Sequence, residues 1–84
     1  MTLEERARAV RTRDDVVAFL AALMDDYRAN GASWTNGDLL SFLAAMAAWS
    51  EDMEGFYENR GEDPASGSPW RVLVDILMAA RVYE

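Results

Sequence analysis

Carboxylates are the side chains of this sequence that could do chemistry, and they concentrate in the segment SEDMEGFYENRGED, residues 50–63. This acidic cluster consists of Glu51, Asp52, Glu54, Glu58, Glu62 and Asp63. On a helix, Glu51, Glu54 and Glu58 share a face and could hold Mg²⁺, as in a metal-dependent hydrolase. The sequence shows no second acidic helix of matching spacing, and the segment does not fit an EF-hand loop. We therefore favour a solvated acidic face that binds no metal and no other cofactor, and keep the hydrolase as an alternative.

The other side chains that usually carry catalysis are missing. The sequence contains no histidine, cysteine or lysine, and all eight basic residues are arginines. The common proton shuttles, thiol nucleophiles and Schiff-base amines are therefore excluded, as are the Glu-x-x-His pairs of di-iron bundles. Without cysteine there is no disulfide framework and no sign of an oxidising compartment, so we predict a cytoplasmic protein that is not an enzyme.

The charge is large and unevenly distributed. The net charge is −7; residues 1–13 carry +2 and residues 14–84 carry −9. Such a field repels nucleic-acid phosphates and anionic lipid and attracts basic proteins. No segment approaches the ~20 apolar residues of a membrane span, and the first residues lack an apolar signal segment. We predict a protein partner of basic character, with no direct nucleic-acid or membrane binding; an immunity- or antitoxin-like role is the sharper form of this hypothesis.

The elements that must position these side chains are helices, because no segment shows the alternation of a half-buried strand. The pattern predicts an all-α fold: a compact bundle of three main helices, about 13–29, 36–58 and 69–82, plus a short N-terminal helix, about 3–10. Residues 1–84 are predicted to form a single helical domain. A flexible loop is expected at 60–68, where Gly, Pro, Ser and acidic residues are frequent.

The first two helices have clear start signals. Thr2 with Glu5, and Thr12 with Asp15, stand at the spacing of a capping box. Asn30-Gly31 is a typical end signal for the second helix. One face of that helix is predicted to be core, and it consists of Val16, Phe19, Leu20, Leu23 and Tyr27.

The third helix is predicted to start after Thr35, with Asp38 at the third helical position. On that register Trp34 and Leu39 form a hydrophobic staple, and Gly55 is the expected site of a kink. Its predicted core stripe consists of Leu39, Phe42, Leu43, Met46, Trp49, Met53 and Tyr57.

The last helix is expected to start with Ser68 as N-cap and Pro69 in the first helical position. Its apolar residues cover more than half of the circumference, so we predict that it is central in the fold; a homodimer packed through this C-terminal helix is the alternative. The three tryptophans are interpreted mainly as packing residues. Trp34 and Trp70 are nevertheless included with the acidic cluster as candidate partner contacts.

Two aromatic motifs are distinctive. W-x-N-x-D-L-x-x-F-L-x-A-M-x-x-W runs from Trp34 to Trp49, and W-x-x-L-x-x-x-L-x-A-A-x-x-Y-E runs from Trp70 to Glu84. With these motifs the chain resembles a family of small acidic bacterial proteins, a domain of unknown function, over roughly residues 12–84. The motifs are hydrophobic rather than catalytic, so the resemblance implies a shared fold and supplies no active-site residue.

Overall fold

The described part of the chain contains four α-helices. The computed structural model describes residues 1–62 and 68–83. The helices are α1 (Leu3–Ala9), α2 (Arg13–Asn30), α3 (Leu39–Asn59) and α4 (Pro69–Ala80), with a single 3-10 turn, Gly31–Ser33, between α2 and α3. Within the described residues there is no strand, and the Cα radius of gyration is 12.6 Å. The all-α prediction is confirmed. Most of the predicted loop 60–68 lies outside the described residues, as do Asp63 and Glu84.

The predicted start signals of α1 and α2 are confirmed. The hydroxyl of Thr2 accepts a hydrogen bond from the Glu5 N–H at 3.1 Å, and that of Thr12 accepts from the Asp15 N–H at 3.2 Å. Each acidic side chain accepts in return from the backbone N–H of its threonine. These bonds satisfy N–H groups that a helix start would otherwise leave unpaired. The bonds with Thr2 hold the pKa of Glu5 below its usual range, and hydrogen bonds from the backbone N–H of Arg11 and then that of Thr12 lower the pKa of Asp15.

The predicted start of α3 is wrong by three residues. Asp38 is the N-cap, and its side chain accepts from the Ser41 N–H at 2.9 Å, so the helix begins at Leu39. The predicted staple does not form either, because Leu39 is 73% exposed while Trp34 packs elsewhere. The physical cause is Asn36: its amide group and its backbone N–H bind carbonyl groups at the end of α4, which keeps its segment outside the helix.

The far end of α3 is regular. The helix continues without interruption through Gly55, where we expected a kink or fraying. It ends in a Schellman motif, in which the N–H of Glu62 donates to the carbonyl of Tyr57 and the N–H of Gly61 donates to that of Glu58. Gly61 has a φ of 68°, the left-handed conformation that this motif requires.

The last helix, α4, is the centre of the fold. It starts as predicted, with Ser68 as N-cap and Pro69 in the first turn, and it ends at Ala80 rather than near residue 82. It packs against α1, α2 and α3. Every residue from Arg71 to Arg81 is buried or half-buried, so little of this helix is available to a second molecule. The main core cluster joins α4 to α1 and α2, and consists of Ala7, Val10, Val16, Phe19, Leu23 and Val74.

Only part of each predicted apolar stripe is in the core. In α3, Trp49 and Tyr57 are buried as predicted, whereas Leu39 and Leu43 are exposed. In α2, Leu20 and Tyr27 are exposed as well. The stripes are wider than the faces that α4 covers, and α2 and α3 do not close over each other. The structure therefore leaves large apolar side chains of α2 and α3 on the surface.

Candidate protein-binding surface

The acidic cluster lies along the C-terminal half of α3. Glu51, Asp52, Glu54 and Glu58 are all exposed, and Glu62 follows the helix with its carboxylate 3.5 Å from the Arg60 guanidinium. Among the described residues, no group of three acidic side chains comes close enough together to hold a metal ion. The carboxylates are instead spread in a row, which is suited to contact with an extended basic surface.

Asp52 differs from its neighbours, because it accepts a hydrogen bond from the Tyr83 hydroxyl just beyond α4. This hydrogen bond, with some desolvation and the charge of Asp52, raises the pKa of Tyr83 above its usual value. Asp52 therefore ties α3 to the end of the chain, which leaves Glu51, Glu54 and Glu58 as the carboxylates that point away from the domain.

A polar network that the sequence did not reveal lies between α3 and α4. The buried Tyr57 donates its hydroxyl hydrogen bond to Asp75 at 2.7 Å, and Arg71 lies 3.5 Å from the same carboxylate. Burial first, and then the hydrogen bond and charge of Asp75, raise the pKa of Tyr57 well above its ordinary value. A cavity of about 240 Å³ adjoins the network. Because the Tyr57 hydroxyl and the Arg71 guanidinium both bind the Asp75 carboxylate, we interpret this network as a structural link between α3 and α4.

The two candidate tryptophans have different environments. Trp34 is half-buried: its indole N–H donates to Asp26 at 2.8 Å, and its ring packs edge-on against Tyr27 and stacks on Phe42. Trp34 therefore holds α2 and α3 in place more than it offers a free contact. Trp70, in the first turn of α4, is 37% exposed and remains accessible.

An open apolar groove lies between α2 and the start of α3, with a volume of about 470 Å³. We call it the α2/α3 groove. Its walls include Met24, which is 54% exposed, and the largely exposed Leu39; Leu77 of α4 also lines it. The full lining consists of Leu20, Leu23, Met24, Tyr27, Arg28, Trp34, Asn36, Gly37, Asp38, Leu39, Phe42 and Leu77. Sequence reasoning assigned several of these residues to the core, and so it missed the groove.

The connection between α2 and α3 keeps this groove open. Asn36 binds the end of α4, and the Tyr27 hydroxyl donates to the Gly37 carbonyl at 2.7 Å. Trp34 fills the space between the two helices at this end. Since the connecting segment is bonded to α4 and to α2 at once, α3 cannot swing onto α2 to cover the apolar walls without breaking these bonds.

A second feature runs along the exposed side of α3. We call this row the outer stripe of α3: Leu40, Leu43, Ala47, Glu51, Glu54 and Glu58, all exposed. Its first half is apolar and its second half is acidic. The side chain of Leu40 is 79% exposed, although burying a leucine side chain lowers the free energy by about 1.5 to 3 kcal/mol.

The helices, the groove and the outer stripe define a small all-α fold with open apolar surface on α2 and α3. The chain belongs to a family of unknown function (DUF7660), whose model matches residues 12–84. The predicted membership in a family of unknown function is confirmed, while the two tryptophan motifs as family features and a bacterial origin stay predictions. Comparisons with curated proteins and with solved structures give no match. None of the described helices combines the length and the apolar character that crossing a membrane requires.

Proposed function

We propose that this domain is a non-catalytic protein-interaction module and that its partner binds in the α2/α3 groove. The observation that carries the proposal is the exposure of large apolar side chains on both walls, above all Leu39 and Met24. Contiguous apolar surface of this kind is rare on a small soluble domain unless something covers it. Fully burying one such side chain contributes about 1.5 to 3 kcal/mol, so a partner that covers several gains substantial binding free energy.

Charge supports a basic partner. The body of the domain is strongly acidic, and three exposed carboxylates, Glu51, Glu54 and Glu58, follow one another along the C-terminal half of α3. Charge complementarity speeds association and selects among partners more than it adds affinity. The sharper form of the proposal is therefore an immunity- or antitoxin-like protein that covers a basic surface of its target in the bacterial cytoplasm. The absence of cysteine is compatible with that compartment.

Nothing in the described residues favours the metal-dependent hydrolase, because their carboxylates form no group that could bind a metal ion. The homodimer through α4 also gains no support, since α4 is largely covered by the other three helices. A homodimer through the α2/α3 groove is a separate case, and the experiments below distinguish it.

The test uses a matched set of exposed apolar residues. The double variant Met24→Gln/Leu39→Gln removes one apolar side chain from each wall of the groove, and Gln keeps helix propensity. Val17→Gln is the control, because Val17 is a 62% exposed apolar residue of α2 that does not line the groove. Circular dichroism and thermal melting should show that each variant folds.

Wild-type and variant domains are used to capture partners from a lysate of the source organism, and a captured protein is then purified and titrated. We expect the groove variant to bind at least about tenfold more weakly than wild type, which corresponds to 1.4 kcal/mol. The Val17 variant should bind like wild type. Equal affinity of the groove variant and wild type would refute binding in the groove.

A further inference from the structure

We infer that the partner contributes an amphipathic helix, with apolar residues at the α2/α3 groove and the apolar half of the outer stripe of α3, and basic residues over its acidic half. This inference rests on the proposed function and specifies the class of partner. The observation behind it is that the exposed side of α3 carries leucine in its first half and glutamate in its second half.

The outer stripe has the geometry of a helix-binding surface. From Leu40 its members follow at 3, 7, 11, 14 and 18 residues, an average step of about 3.6, so the row runs straight along the axis of α3. A straight row of this kind can pack against a second helix whose contact residues are spaced at i, i+3 or i+4 and i+7. A curved or globular surface would not contact the whole row.

The length of the row sets the length of the bound helix. At 1.5 Å per residue, Leu40 to Glu58 spans about 27 Å, which is the length of a helix of about 18 residues. The apolar part, Leu40 to Ala47, and the acidic part, Glu51 to Glu58, each cover about 10 Å. The partner helix therefore needs about two turns with apolar residues followed by about two turns with lysine or arginine on the same side.

A second copy of this chain does not fit that description. Its basic residues are concentrated in residues 6–13, but the apolar face of α1 is already buried, with Val10 only 1% exposed. The rest of a second copy, residues 14–84, has a net charge of −9 and would bring more carboxylates toward Glu51, Glu54 and Glu58. Like charges at close range repel each other. The row therefore complements a basic helix from another protein.

The probes for the test are two synthetic peptides of about 18 residues. Both have leucines at i, i+3 and i+7 in one half; the other half carries lysines in the first peptide and glutamates in the second. Each is titrated into the isotope-labelled domain and followed by amide resonances. We expect the lysine peptide to bind at least about tenfold tighter, with shifts at residues 39–58 and at Met24. Its affinity should fall as the salt concentration rises from about 50 to about 500 mM.

Two charge variants with the same net charge separate local contacts from long-range attraction. Glu51→Gln/Glu54→Gln removes two carboxylates from the outer stripe, whereas Glu4→Gln/Asp14→Asn removes two exposed carboxylates from α1 and α2. The first variant should lose most of the preference for the lysine peptide, and the second should keep it. Equal effects of the two variants would overturn the inference, because only the total charge would then matter.

The remaining outcomes separate this inference from the proposed function. If the two peptides bind equally well, and Met24→Gln/Leu39→Gln weakens both, the partner class is wrong while groove binding stands. If neither peptide binds, the inference is overturned, and capture of the natural partner decides the proposed function independently. A concentration-dependent dimer that the groove variant abolishes would identify a second copy as the occupant and would also overturn the inference.

Discussion

Asn36 offers the sharpest test of how this fold is held together. Its side-chain amide donates to the carbonyl of Ala80 at 3.0 Å and to that of Tyr83 at 2.7 Å, and its backbone N–H donates to the carbonyl of Arg81 at 2.9 Å. The last carbonyl groups of a helix have no partner within the helix. One residue of the α2 to α3 connection therefore closes the end of α4.

We expect Asn36→Ala to lower the free energy of unfolding by about 1 to 3 kcal/mol. Each of the two lost side-chain hydrogen bonds contributes about 0.5 to 1.5 kcal/mol net, and half-burial of the site limits replacement by water. For a domain of this size the melting temperature should fall by roughly 5 to 20 °C. Asn36→Asp should be at least as destabilising, because a carboxylate oxygen would face two carbonyl oxygens with no proton to donate.

Urea unfolding followed by far-ultraviolet circular dichroism measures this effect. Asn30→Ala is the control, since the exposed Asn30 side chain makes a single long hydrogen bond, 3.4 Å to Asp26, and its loss should cost less than about 0.5 kcal/mol. The dependence on denaturant should be the same for all variants. If Asn36→Ala and Asn30→Ala have the same midpoint as wild type, the bonds to α4 make no net contribution and the reasoning is refuted.

Three further variants test α3. Gly55→Ala should raise the free energy of unfolding by about 0.5 to 1 kcal/mol, because Gly55 is exposed within a helix and a Cβ there meets no atom within 4 Å. A loss of stability would contradict a regular helix at this position. Gly61→Ala should lower it by about 1 to 2 kcal/mol because of the positive φ, and an unchanged urea midpoint would contradict the Schellman motif. For Tyr57, whose pKa is raised in the folded state, stability should be full below about pH 10 and fall as the pH rises further. Tyr57→Phe should reduce that alkaline loss in urea titrations at about pH 9 and 11; an equal loss in both proteins would exclude Tyr57 as its source.

The start of α3 shows why local signals were insufficient there. Thr35 and Asp38 are both good N-cap residues, and each precedes a helical apolar pattern. The choice between them depends on Asn36, whose partners lie 44 and 47 residues further along the chain. Hydrogen bonds between residues so far apart cannot be predicted from a short sequence segment, so the prediction took Thr35, the earlier of the two residues, as the N-cap.

The candidate surface was predictable only in part. The acidic half of α3 follows from composition and helical spacing, and the structure places Glu51, Glu54 and Glu58 on the outside as expected. Leu39 and Leu43 were assigned to the core, because a leucine on a helix stripe has the same pattern whether or not another helix covers it. Coverage depends on which helices pack together, and α2 and α3 leave a groove between them.

The sequence by itself determined the helical content, the caps of α1 and α2, the acidic body and the absence of the usual catalytic side chains. These properties depend on residue identity and on hydrogen bonds that span three or four positions. Only the tertiary structure decided where α3 begins, which leucines are buried and that an apolar groove lies between α2 and the start of α3. Those features depend on contacts between helices far apart in the chain, and the same contacts expose the surface on which we place the function.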